Sequence, residues 1–185
     1  SIKRHCHQIL SRQDVQVLLD NLKEQNPALI NELVPNMLSV GQVQRVLQNL
    51  LREGVSIRNL VGILERVSDY ATTTKNTDEL SEQSRCAIGS QIVKQYQDEA
   101  GKLHAITMDP WLEEELVKGL RPSQTETMLL IDPKMAEHLS HHLNDGMQPM
   151  ISDGKSPVVI CSATIRSGLR RFFAAKFPEL AFLSY

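Results

Sequence analysis

The chain has 185 residues, with 20 basic and 22 acidic side chains and 41% apolar residues. That apolar share supplies a packed core and is too large for a disordered chain. A net charge of −2 argues against a nucleic-acid binder that works through gross positive charge.

The charge is evenly spread: residues 1–98 carry 11 basic and 11 acidic side chains, and residues 99–185 carry 9 and 11. Neither half is a charged tail. Cys6, Cys86 and Cys161 lie far apart with no CxxC spacing. Such usage fits reduced thiols in a cytosolic setting. No apolar run reaches the ~18–20 residues that cross a bilayer, and no signal-peptide pattern appears. The chain starts at Ser-Ile-Lys-Arg without methionine, so a fragment of a longer protein is expected.

Aromatic residues are uneven. The first 69 residues contain none, whereas Phe172, Phe173, Phe177 and Phe182 all fall in the last 14. Two cores are therefore expected, a helical subdomain over 1–98 and a small α/β subdomain over 99–185.

In the first, Val15, Leu18, Leu19 and Leu22 recur at helical spacing, and Ser11 with Asp14 has capping-box spacing. Asn26-Pro27 breaks that helix, and a short one follows over 28–33 up to Pro35. Val40, Val43, Val46, Leu47, Leu50 and Leu51 form the next stripe, with Ser39 and Gln42 as its capping box and Gly54 as a left-handed stop. Ser56 is expected to cap a helix with the stripe Leu60, Val61, Leu64 and Val67. The pair predicts a helical hairpin or helix-turn-helix. A polar connector over 72–77 leads to one long helix over 78–97, facing inward with Leu80, Ala87, Ile88, Ile92 and Tyr96.

The second half alternates. Strands are expected at 103–108, 127–131, 157–161 and 180–184. Helices are expected from Asp109-Pro110 to Gly119, from Asp132-Pro133 to Asn144, and over 165–176 after a Ser162 or Thr164 cap. The order β-α-β-α-β-α-β predicts helices packed on a sheet.

Candidate chemistry is sparse. His138, His141 and His142 sit at helical spacings that suit two zinc ligands, but Leu139 stands where a His-Glu-x-x-His motif needs glutamate. A solvated helix face is the preferred reading. Ser162, Thr164, Arg166, Arg170 and Arg171 open a helix after a strand and could hold a phosphate, yet P-loop glycines are missing. Arg58, Asn59 and Arg66 would be the reading side chains of a helix-turn-helix, against the zero net charge of 1–98. Glu113, Glu114 and Glu115 suit the positive end of a helix dipole and need no acid–base role. The three cysteines sit in apolar contexts and read as buried, inert thiols. No catalytic, metal or cofactor-binding residue is assigned, and no enzyme is expected.

The wording of the sequence reaches further. Leu10-Ser-Arg-Gln-Asp-Val-Gln16, Leu19-Asp20 and Glu32-Leu-Val-Pro35 resemble the FHIPEP family of bacterial type III export-gate proteins. The densest stretch runs from Val43 through Leu60, continuing in Ile63-Leu-Glu65 and Asp69-Tyr-Ala71, and Leu183-Ser-Tyr185 is similar to the family's closing segment. Arg12-Gln-Asp-Val-Gln16 and Leu47-Gln-Asn-Leu-Leu-Arg-Glu53 look like the flagellar branch rather than the injectisome branch. Gly89 and Ser84 depart from what the long helix should carry.

The resemblance implies the last two of four cytoplasmic subdomains, anchored in the bacterial inner membrane only through an N-terminal part missing here. It implies a homo-oligomeric ring that docks export substrates and their chaperones, helps order their secretion, and works beside other apparatus components including the ATPase complex. No nucleic acid is implied. The docking groove of such proteins lies mainly in the preceding subdomains, so no positions are carried over. The alternative is a helix-turn-helix DNA-binding regulator with an α/β effector domain.

Overall fold

The computed structural model describes residues 10–185. Its residues group into two compact units. One runs to Ile92 and takes in Gln124–Glu126; the other comprises Val93–Ser123 and Thr127–Tyr185.

The first unit is helical. Helix α1 (Arg12–Gln25) starts at a complete capping box: Asp14 N–H donates to Ser11 Oγ at 3.1 Å and Ser11 N–H to Asp14 Oδ2 at 2.8 Å. That pairing, the Ser11 hydroxyl first, holds the Asp14 carboxyl below its ordinary range. Helix α2 (Pro27–Glu32) follows with proline in its first turn, and Leu33–Met37 makes a wide turn containing a cis Val34–Pro35 peptide.

Helix α3 (Val40–Arg52) has the expected Ser39–Gln42 box, with bonds of 3.1 and 2.8 Å. It buries Val43, Val46, Leu47 and Leu50, each contributing about 1.5–3 kcal/mol relative to exposure. It ends in a Schellman motif: Gly54 at φ +71°, Gly54 N–H to Leu51 O, and Val55 N–H to Leu50 O. Gln44 and Gln48 both donate to Leu10 O at 3.0 Å, fixing the start of α1.

Helix α4 (Leu60–Ala71) differs from expectation at its start. Asn59, not Ser56, is the cap, accepting from Gly62 N–H at 3.2 Å. Ser56 Oγ accepts instead from Arg58 N–H, within its own turn.

The long helix expected over 78–97 is two helices, α5 (Thr77–Ala87) and α6 (Gly89–Lys94), parted at Ile88 with φ −119° and ψ 19°. Gly89, with its weak helix propensity, sits at the break, and Ile88 is buried there. Ala87, expected inside, is exposed. Ser84 is fully buried and satisfied, its hydroxyl donating to Leu80 O at 2.8 Å. Helices α3 and α4 each pack chiefly on α5 rather than on each other, so the expected hairpin is a three-helix arrangement. Thr125 O closes the N-terminus of α5 by accepting from both Thr77 N–H and Thr77 Oγ1, at 3.0 and 2.9 Å.

The second unit is built on a parallel sheet of order β1-β4-β5, with a separate two-stranded antiparallel ribbon of β2 and β3. The elements are β1 (Ile106–Thr107), α7 (Pro110–Lys118), β2 (Leu120–Pro122), β3 (Thr127–Leu129), α8 (Pro133–Ser152), β4 (Val158–Cys161), α9 (Ala163–Phe173) and β5 (Ala181–Ser184). The alternation from the sequence holds, with β2 added. Strand β1 is shorter than the 103–108 expected: Leu103 instead makes an isolated antiparallel bridge with Gln97, closing the loop that Asp98 organises. Helix α8 passes Asn144 and runs on through Gly146 and Pro149. A Cβ at Gly146 would lie 2.7 Å from Ile106 Cδ1, so the missing side chain lets β1 seat against α8.

Central strand β4 buries Val158, Val159 and Cys161 completely, as a parallel strand covered on both faces should. The core around it holds Leu129, Leu143, Ile165, Leu169, Phe173 and Phe182.

Candidate functional site

The side chains singled out from the sequence are placed in structural duties. His138, His141 and His142 are exposed on α8; His141 Nδ1 pairs with Asp145 Oδ2 at 2.9 Å. Among the described residues no three His, Cys, Asp or Glu side chains converge as a metal site would need.

The N-terminus of α9 is occupied by protein groups. Ser162 Oγ accepts from Thr164 N–H, and Ser162 N–H donates to Glu113 Oε1 at 2.9 Å. A carboxylate from α7 thus fills the positive end of this helix, where a phosphate was considered. Arg166 is buried to 1% exposure and its Nη1 donates to Phe182 O at 3.1 Å. Residues 181 and 185 turn their N–H groups to β4, so Phe182 O faces the open edge of β5. Arg166 therefore covers an edge that could otherwise pair with a foreign strand. Arg171 Nη1 donates to Thr127 O at 3.1 Å. Glu113's capping role was missed from the sequence, since its partner lies 49 residues away.

In the first unit, Asn59 is consumed as a cap. Arg66 is half-buried, its Nη2 bonded to Tyr70 Oη and Gln83 Oε1 and its guanidinium 4.6 Å from the Tyr70 ring centroid. Two of the three expected DNA-reading side chains thus face other protein groups. Cys161 is buried as expected; Cys86 is exposed, contrary to expectation, because it lies on the outer side of α5. Cys6 lies outside the described residues.

Two concave surfaces stand out among the described residues. One, of about 550 Å³ in the second unit, is lined mostly by residues with polar or charged side chains, Tyr96, Asp98, His104, Asp153 and Lys155 among them. Asp98 organises it, Oδ1 accepting from Ala100 and Lys102 N–H at 2.9 Å each and Oδ2 pairing with His104 Nε2 at 2.7 Å. The His104 bond first, then that of Lys102, holds the Asp98 carboxyl below its ordinary range. The other, of about 560 Å³ in the first unit, is apolar. Leu18 and Leu22 of α1 face Leu51, Ile57 and Leu60 across it, with Arg58 at the rim. Both volumes fall in the range of ligand and peptide clefts. Neither holds a nucleophile paired with a base, so what they offer is binding.

The FHIPEP family profile matches residues 1–185, the whole chain. The chain belongs to the FHIPEP family. It is 34% identical over 100% of its length to the flagellar biosynthesis protein FlhA of Bacillus subtilis, covering 27% of that protein. It is 37% identical over 99% of its length to the FlhA of Borreliella burgdorferi, covering 26%. The chain thus spans about a quarter of the length of these curated relatives. Among solved structures it is similar to the nonameric SctV-C of EPEC, with a TM-score of 0.85 and 25% identity, covering 100% of this chain and 55% of that one. The helical unit followed by a small α/β unit is the fold of that family's C-terminal part. No helix among the described residues is long and apolar enough to cross a membrane.

Proposed function

We propose that this chain is the closing cytoplasmic portion of a type III protein export gate of the flagellar branch. It forms part of a homo-oligomeric ring that docks export substrates and their chaperones and helps order their secretion. The observation that carries the reading is the match along the whole of this chain to a quarter of each of two proteins named for flagellar biosynthesis, at 34% and 37% identity.

The physical features support a docking role. The His, Arg and Glu groups considered for chemistry are engaged as caps and packing groups or lie exposed, while two clefts stay open. Near-neutral charge suits contact with varied proteins. The ring is supported by the nonameric state of SctV-C. The longer protein is placed in the bacterial inner membrane through segments upstream of this portion, beside other apparatus components including the ATPase complex. Its role is in transport and is not enzymatic.

The test is the complete cytoplasmic region of the longer protein, imaged by electron microscopy across a concentration series. Closed rings are expected. Monomers at every concentration, also in the presence of membrane-reconstituted full-length protein, contradict the reading.

A further inference from the structure

We propose that the apolar cleft of the first unit is a docking site for an amphipathic helix of a partner protein, one that carries a carboxylate beside its apolar face. The inference rests on the docking reading above and gives it a place and a chemistry.

One wall of the cleft is a helical stripe. Leu18, Asn21, Leu22 and Gln25 stand at i, i+3, i+4 and i+7 on α1 and all line it. The floor and far wall are Leu51, Ile57 and Leu60. All five apolar residues are half-buried, neither sealed in the core nor fully solvated. Their inner neighbours Val15, Leu19, Leu47 and Leu50 form the closed core. Among the described residues the cleft is therefore a second apolar layer without a cover, shaped by a helix and open to a helix.

The charge of the rim selects the occupant. Arg58 is the one charged residue among the lining side chains. It is exposed, and its guanidinium forms no ion pair with any carboxylate of the described residues. The rim also offers the amides of Asn21 and Gln25 and the Ser56 hydroxyl, which suit a polar helix flank. A helix seating leucine-type anchors between α1 and Ile57 would place its flank at this cation, where arginine and carboxylate meet in a charge-assisted pair. A nucleic-acid backbone needs several cations around a polar surface; here one cation borders an apolar floor.

The experiment titrates the 185-residue chain with a labelled helical peptide of roughly 15 residues. The peptide carries leucines at i, i+3, i+4 and i+7 and glutamates on one flank; a twin carries lysines in place of the glutamates. Anisotropy reads binding, and amide shifts of Leu18, Leu22 and Ile57 map it. The expected result is saturable binding of the acidic peptide, at least about tenfold tighter than the lysine twin, with shifts confined to the cleft. Arg58→Glu, a change at an exposed side chain, reverses that preference, and Leu22→Lys abolishes binding of both. Absence of binding, shifts elsewhere, or a preference unmoved by Arg58→Glu overturns the proposal. So does self-association through the cleft, read as a dimer lost in Leu22→Lys, or Arg58-dependent DNA binding without peptide binding. Ring formation by the longer protein is read separately, so failure of this site is distinct from failure of the export reading.

Discussion

Replacing Gly168 with alanine adds one methyl group where α9 crosses β3. A Cβ there falls 2.7 Å from Leu129 Cβ and 3.2 Å from Leu129 Cδ2. Carbon atoms pack best at about 3.5–4.0 Å, and a Cβ cannot rotate away as a side-chain tip can. Either β3 or α9 must move. Two terms compete. Alanine gains about 1 kcal/mol over glycine inside a helix, whereas overpacking a full core costs about 1–3 kcal/mol. Leu129 is buried, and the clash involves an atom fixed by the strand backbone, which puts the cost at the upper end. The net expectation is a loss of about 1–2 kcal/mol in the second unit. The assay is native-state hydrogen exchange of the β4 amides, which open only when that unit unfolds. Exchange should quicken by about five- to thirty-fold. Unchanged or slower exchange would mean that the α9–β3 contact is looser than its geometry says, and the packing argument would fail.

Three further outcomes follow from the same geometry. Ser39→Ala removes one half of the α3 capping box and should lower the stability of the first unit by about 1 kcal/mol, read by urea unfolding followed with circular dichroism. Glu113→Ala leaves the Ser162 N–H without its carboxylate, so the amides of the first turn of α9 should exchange faster; a loss of about 1–2 kcal/mol is expected, while Glu114→Ala, at an exposed position, leaves them unchanged. Asp98 has a depressed carboxyl, so its contribution is present above the unfolded pKa and is lost as pH falls through the lower folded value. Protection of the Ala100 and Lys102 amides should therefore persist to below the ordinary 3.8 of aspartate and then vanish, and Asp98→Asn should abolish that dependence.

Legibility in the sequence followed the range of the interaction. Ser11, Ser39, Asp109 and Asp132 all cap the helices that follow them, because a cap bonds two or three residues away. Gly54 ends α3 for the same local reason. The break at Ile88 was harder, since Leu80, Ile88 and Ile92 keep helical spacing across it and all are buried. Strand β2 is three residues ending in Pro122 and has no periodicity; its pairing with β3 makes it a strand. The continuation of α8 past Asn144 ran against Gly146, whose purpose is the close approach of Ile106, 40 positions away in the chain and invisible locally. Glu113 read as a helix-dipole acid and is one, but it also serves the neighbouring helix.

The candidate site was less legible than the fold. Arg58, Asn59 and Arg66 group as one reading surface in the sequence because all three fall on the second helix of the expected hairpin. The structure separates them: Asn59 caps, Arg66 lies beside Tyr70, and Arg58 alone reaches the cleft. The cleft itself needs α1 and the 56–60 turn together, and nothing in either segment announces the other. The family resemblance, by contrast, was legible along nearly the whole chain, densest over 10–71 and thinner over 100–160.

The measurement that tests the central claim most directly is made in the source bacterium. The genomic segment encoding residues 1–185 is deleted in frame, and flagellar proteins are quantified inside and outside the cells. The account predicts that hook and filament proteins are still synthesised but vanish from the medium and the cell surface, and that restoring the segment returns them. Normal secretion of these proteins by the deletion strain, with the truncated product verified, would contradict it.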